Sequence, residues 1–156
     1  MDRFNVLVID PPWPMVKIER KVRPNQTGFD YPTMTIREIT DVGARAVASL
    51  ADDAHVFLWT TNKYLPASLK IVESWGLKYK GGCVWCKPGG FQPWNMPQLN
   101  HEFVTYAQKG SPTALLGEMD PDGFLAYCFE AQRGAHSQKP AFFYGVIERA
   151  TGAGDP

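Results

Sequence analysis

A chain of 156 residues is long enough for one domain with a real core, and 44% hydrophobic with 21% charged residues predicts a folded, soluble protein rather than a disordered one. No run approaches the ~18 apolar residues of a membrane span, and the start leads straight into a strand-like segment, so no signal peptide is read and a cytoplasmic location is expected. Sixteen basic against 16 acidic residues give zero formal net charge. That argues against a strong stand-alone grip on a phosphate backbone, yet admits an enzyme of weak substrate affinity or one helped by a partner.

Phe4-Asn5-Val6-Leu7-Val8-Ile9 reads as a short buried strand, ended by Asp10-Pro11-Pro12. A polar loop follows to about Thr33. Its Lys17, Arg20, Lys21 and Arg23 either contact phosphates or form a solvated loop interrupted by Glu19. Thr35-Ile36-Arg37-Glu38 fits a capping box, and Ile36, Ile39, Ala46, Val47 and Leu50 then give one apolar face at helical spacing. His55 to Thr60 is a second strand. Leu65 to Trp75 is a second helix, with Pro66 tolerated in its first turn and Gly76 as its stop. Leu77 to Trp85, Glu102 to Gln108 and Phe124 to Phe129 complete the strands, and Pro140 to Ala150 is a last helix. The order predicts an α/β sheet, parallel in its first part, with a hairpin among the later strands. Pro88 to Pro97 and Gly110 to Gly123 read as loops.

The three cysteines, Cys83, Cys86 and Cys128, are an odd count without an export signal, which argues against a disulfide framework. Cys83 and Cys86 have the spacing of half a zinc site, but no second pair completes it. On a strand, residues three apart point to opposite faces. No metal is therefore expected.

Asp10-Pro11-Pro12-Trp13 sits at the carboxyl end of the first strand, the edge where open α/β sheets bind ligands. An aromatic amine has its lone pair delocalised into the ring and is a poor nucleophile. Two acceptors aimed at its N–H groups favour the pyramidal form, in which that lone pair is available. The Asp10 carboxylate can be one acceptor and the Pro11 carbonyl the other. Two prolines preset the turn, and Trp13 offers a face on which a flipped-out base could stack. The alternative is a rigid turn with Trp13 in the core.

Asp10-Pro11-Pro12-Trp13, Tyr31-Pro32-Thr33-Met34-Thr35, Val56-Phe57-Leu58-Trp59-Thr60-Thr61-Asn62, Trp85-Cys86-Lys87, Asn100-His101-Glu102, Lys109-Gly110 and His136-Ser137-Gln138-Lys139-Pro140 follow one another in register. Together they resemble the DPPW-type adenine-N6 methyltransferases, a family that includes the catalytic subunit of the eukaryotic messenger-RNA adenosine methyltransferase and many bacterial and phage DNA methyltransferases. The resemblance implies a Rossmann-like fold in permuted order, with S-adenosyl-L-methionine as cofactor. It implies methylation of the exocyclic amine of adenine in nucleic acid, DNA ahead of RNA. Asp10, Pro11, Pro12 and Trp13 would form the catalytic loop, and Asp10 and Lys109 would meet the cofactor. Trp13, Tyr31, Lys109, Lys17 and Arg20 would meet the substrate, with Tyr31 on a loop that closes over the base.

The resemblance also implies a further strand after the last helix. On that reading the chain is a single domain, residues 1–156, holding the catalytic half of the sheet, with its first strand at an edge and a homo- or heterodimer as a possible completion. A non-catalytic subunit supporting a partner enzyme is the competing reading. A dinucleotide-dependent redox enzyme has little support, because no Gly-x-Gly-x-x-Gly follows the first strand. His136 and Lys139 read mainly as structural residues before the last helix. Trp59, Trp75 and Trp85 read as core anchors, while Trp94 either contacts substrate or packs in its loop.

Overall fold

A computed structural model describes residues 3–14, 32–88, 100–113, 128–132, 134 and 138–152. In chain order these form β1 (Phe4–Ile9), α1 (Ile36–Ala48), β2 (Leu50–Thr60), a 3-10 turn (Asn62–Tyr64), α2 (Leu65–Ser74), β3 (Lys78–Cys86), β4 (His101–Lys109), β5 (Cys128–Glu130) and α3 (Ala141–Thr151). The sheet runs β1-β2-β4-β3-β5. β1 is parallel to β2, β4 is antiparallel to both β2 and β3, and β5 is parallel to β3. The result is a mixed α/β sheet, parallel at its start and antiparallel where a hairpin was expected.

Local sequence chemistry explains the helix ends. Thr35 caps α1 as read: its hydroxyl accepts from the Glu38 N–H at 3.2 Å, and the Glu38 carboxylate accepts from the Thr35 N–H at 2.7 Å. Pro66 lies in the first turn of α2. Gly76, at φ 70°, turns the chain out of that helix, and the Leu77 N–H reaches back to the Val72 carbonyl at 3.2 Å. β2 starts earlier than its β-branched and aromatic run suggests. Asp52 and Asp53 have low strand propensity, but Arg3 pairs with Asp52 at 2.8 Å and the Ser111 N–H donates to Asp53 at 2.6 Å.

Alternation along β2 divides the core. Val56 and Leu58 face α1 and α2, meeting Ile39, Val47, Ile71 and Val72. Phe57 and Trp59 face α3, meeting Phe143, Val146, Ile147 and Ala150. β2 is thus covered on both faces, in a three-layer arrangement. Among the described strands β1 lies at an edge of the sheet, and it is half-buried rather than buried; Phe4 is 66% exposed.

The topology also decides which residues can meet. The ends of β1, β2, β3 and β5 and the start of β4 share one edge, because β4 runs opposite to all of them. Asp10, Thr61, Lys87, Glu102 and Ala131 come from five separate stretches of sequence to that edge.

Candidate active site

The site is built where β1 ends. Pro11 and Pro12 fix the backbone of the loop after Asp10, and four hydrogen bonds tie it down. The Trp13 N–H donates to the Pro11 carbonyl at 2.9 Å, and the Met34 N–H donates to the Pro12 carbonyl at 2.9 Å. The Trp13 indole N–H donates to the buried Trp59 carbonyl at 2.9 Å, and the Tyr64 hydroxyl donates to the Pro14 carbonyl.

Trp13 is 7% exposed, and its ring stacks on Tyr64 at 5.2 Å with an interplanar angle of 10°. Of the two readings of Trp13, an open face for a base or a place in the core, this packing fits the second. The indole is a core anchor that holds the loop to β2, because its ring completes the apolar layer under α1 and α2. The Pro11 carbonyl keeps a second lone pair beyond its bond to Trp13.

Lys139, just before α3, reaches into the same place. Its ammonium is 3.2 Å from Asp10 Oδ1 and 3.1 Å from Glu102 Oε2, and Lys87 pairs with Glu102 Oε1. Opposite charges therefore alternate along the row Asp10, Lys139, Glu102, Lys87. The side chains of Lys139 and Glu102 are 10% and 17% exposed, whereas that of Asp10 is 37% exposed. Asp10 is the member of the row most open to solvent. Two tryptophans floor the row: Lys139 lies 5.3 Å from the Trp59 ring centre and Lys87 lies 5.0 Å from that of Trp85.

The protonation equilibria follow from burial set against these pairings. Burial raises the pKa of Asp10; Lys139 opposes this without cancelling it, and Glu102 adds to the rise. Burial also pushes Glu102 upward, but Lys87 and Lys139 outweigh it, and its pKa falls below the ordinary value. For Lys139, burial disfavours the charge, yet Asp10 and Glu102 prevail and the pKa rises. Both partners of the central pair thus favour the ionised form, while Asp10 is the carboxyl that protonates most readily.

Lys109, expected at the cofactor or the substrate, lies at the other end of β4 from Glu102. Ile9 pairs with Leu58, whereas Lys109 pairs with Ala54. At ~3.3 Å per residue this places Lys109 more than about 10 Å down the sheet from Asp10. Its ammonium donates to the Leu50 carbonyl at 3.0 Å and the Val47 carbonyl at 3.4 Å, neutralising the end of α1. The antiparallel direction of β4 causes this: Glu102, at its start, is at the site edge, and Lys109, at its end, is not. Tyr31, Lys17 and Arg20, like Lys21, Arg23, Trp94, His136 and Ser137, lie outside the described residues.

Residue type and position suggest only a structural role for Lys139, yet its ammonium pairs with both Asp10 and Glu102. The signal available was its place in the last of the seven motifs, immediately before the helix. Glu102 and Lys87 were visible only as motif members. Among the described residues, no group of three or more His, Cys, Asp or Glu could hold a metal ion, and no helix is long and apolar enough to cross a membrane.

The family profile MT-A70 matches residues 4–154. Similar proteins include the type II methyltransferase M.MunI of a Mycoplasma species, 29% identical over 165 residues, which covers 96% of this chain and 66% of that protein. They also include the N(6)-adenosine-methyltransferase MT-A70-like protein of Drosophila melanogaster, 29% identical over 160 residues, covering 96% of this chain and 23% of that one. The human N(6)-adenosine-methyltransferase catalytic subunit METTL3 is 26% identical over 160 residues, again 96% of this chain and 24% of its own length. The chain thus spans just under two thirds of the first of these relatives and about a quarter of the other two. With the profile running through every described element, from β1 to α3, the chain belongs to the MT-A70 family.

Proposed function

We propose that this chain carries the catalytic site of an S-adenosyl-L-methionine-dependent methyltransferase acting on the N6 amine of adenine in nucleic acid. The observation that carries the reading is the Asp10 carboxylate, held at the sheet edge by Lys139 and followed by a rigid Pro11-Pro12 turn. Membership of MT-A70, and relatives named as N(6)-adenosine-methyltransferases, support it. The resemblance to compact bacterial and phage DNA methyltransferases orders DNA ahead of RNA. A Rossmann-like sheet in permuted order, with the catalytic strand first, is part of the same reading.

The donor set suits the cofactor. An amino-acid end carries an ammonium and a carboxylate, and Asp10 and Lys139 offer one group of each opposite sign, 3.2 Å apart. These two residues would hold that end; when bound, the sulfonium supplies an activated methyl group. Asp10 accepts an N–H of the target amine at an oxygen left over from its bond to Lys139, since a carboxylate accepts at both oxygens. The Pro11 carbonyl accepts the second N–H. Glu102 and Lys87 keep Lys139 in place, so Asp10 is oriented before substrate arrives. Trp13 positions this loop from beneath. Tyr31 as a closing aromatic, and Lys17 and Arg20 as phosphate contacts, complete the proposed substrate side. The edge strand β1 supports association into a homo- or heterodimer.

The test is direct. The purified chain is incubated with labelled S-adenosyl-L-methionine and adenine-containing DNA or RNA, and the nucleosides are separated. Label in N6-methyladenine supports the proposal and ranks the two nucleic acids. Cofactor binding with label on another base overturns the substrate assignment. Neither binding nor transfer favours the supporting-subunit reading.

A further inference from the structure

β5 is three residues long and meets β3 through three register pairs, Val84 with Cys128, Trp85 with Phe129 and Cys86 with Glu130. Across this short ladder the sulfurs of Cys86 and Cys128 lie 2.8 Å apart. That is within about 1 Å of the ~2.0 Å length of a covalent S–S bond. Cys128 is exposed and Cys86 half-buried, so a small molecule can reach the pair, whereas the third cysteine, Cys83, is buried. We propose that Cys86 and Cys128 are a modification site that a low-molecular-weight disulfide, such as oxidised glutathione, converts into a covalent clamp between β3 and β5. The inference is independent of the proposed methyl transfer.

The chemistry balances. Cys128 attacks one sulfur of oxidised glutathione, its proton leaves with the departing reduced glutathione, and a mixed disulfide forms on Cys128. Cys86 then attacks Cys128 Sγ, the second glutathione leaves and takes the second proton, and the Cys86–Cys128 bond is made. Two thiols are oxidised and one disulfide is reduced. The order follows from position: Cys128 is the more open sulfur, while Cys86 is held as a thiol against it. The hydrogen bond with Cys128, aided by burial, raises the Cys86 pKa to about 11. Burial raises Cys83 to about 11 as well, which leaves it inert.

The clamp would reach the site. The Ala131 N–H, just past β5, donates to the Cys86 carbonyl at 3.4 Å, and the Ala131 carbonyl accepts from the Trp85 indole at 2.9 Å. Lys87 follows Cys86 directly and pairs with Glu102. Oxidation therefore fixes the strand that anchors one wall of the charged row.

The experiment treats the purified chain with oxidised glutathione, then reads intact mass, free thiols and a peptide map, with dithiothreitol as the reversal. The expected product has lost two hydrogens, keeps one free thiol, at Cys83, and yields a peptide joined through Cys86 and Cys128. Amide exchange in 128–132 slows. Cys86→Ser is expected to stop at a stable glutathione adduct on Cys128. Three free thiols after treatment, a lasting adduct on the parent chain, or a bond between two chains would overturn the proposal. Absence of the adduct in Cys86→Ser would overturn Cys128 as the point of attack.

Discussion

Lys139 Nζ lies 3.2 Å from Asp10 Oδ1, joining the segment that leads into the last helix to the residue after the first strand. Asp10 retains a raised pKa despite this contact, because burial outweighs Lys139 and Glu102 pushes the same way. If the ionised carboxylate accepts the amine, activity should fall on the acid side at a pH above the ordinary aspartate range. Lys139→Gln removes the lowering influence, so that limb should move further up. A kcat/KM profile against pH checks both points, and an unmoved limb in Lys139→Gln would detach Asp10 from Lys139.

Glu102 makes an acid-side contribution to stability. Its folded pKa is below the ordinary 4.5, so its stabilisation is present above 4.5 and is lost as pH falls through the folded value. Lys139, raised from 10.5, stabilises below 10.5 and loses that contribution as pH climbs through its own folded value. Asp10, also raised, opposes Glu102: its contribution is present below 3.8 and is lost as pH rises. Urea midpoints of the parent and Glu102→Gln should differ at neutral pH and converge below 4.5. A constant gap would place the Glu102 effect in packing.

Trp13 should behave as a core residue with a buried hydrogen bond. Trp13→Phe keeps an aromatic ring against Tyr64 but leaves the buried Trp59 carbonyl without its indole donor. The expected loss is about 1–3 kcal/mol. Trp13→Ala adds a cavity and should cost about 3–5 kcal/mol. Chemical denaturation gives both values. Full stability of Trp13→Ala, with only substrate binding lost, would restore the stacking role.

Gly43 lies in α1 against the Trp75 ring. A Cβ built there would sit 2.0 Å from Trp75 Cζ2, and the ring is held by an indole bond of 2.8 Å to the Thr40 carbonyl. Gly43 is helical, so the obstacle is space rather than backbone angle. Gly43→Ala should destabilise by about 1–3 kcal/mol, despite the better helix propensity of alanine. A stabilised variant would show that the two helices separate easily.

The ends of α1 and α2 and the first strand were legible because their signals are local: Thr35 with Glu38, Pro66, Gly76, and the apolar run Val6 to Ile9; Leu50, read on the helix face, instead begins β2. The Asp10-Pro11-Pro12-Trp13 loop was legible as chemistry from residue type alone. The burial of Trp13 was not, since it depends on Tyr64 and the Trp59 carbonyl, which are distant in sequence. The positions of Lys109 and Lys139 relative to Asp10 were not legible, for a topological reason. Strand direction decides which end of β4 joins the site edge, and a lysine before a helix gives no local sign that two distant carboxylates await it. The meeting of Cys86 and Cys128 likewise needed the β3–β5 pairing, which spacing does not reveal.

Methyl transfer to adenine N6 by the parent, Asp10→Ala and Lys109→Ala, with folding checked by circular dichroism, tests the site assignment most directly. Asp10→Ala should lose at least ~100-fold in kcat, the scale for removing a well-placed acceptor from a developing charge. Lys109→Ala should keep near-parent kcat and lose stability, because its ammonium caps α1 far from Asp10. Near-normal turnover in Asp10→Ala, or a folded Lys109→Ala with kcat collapsed, would contradict the assignment.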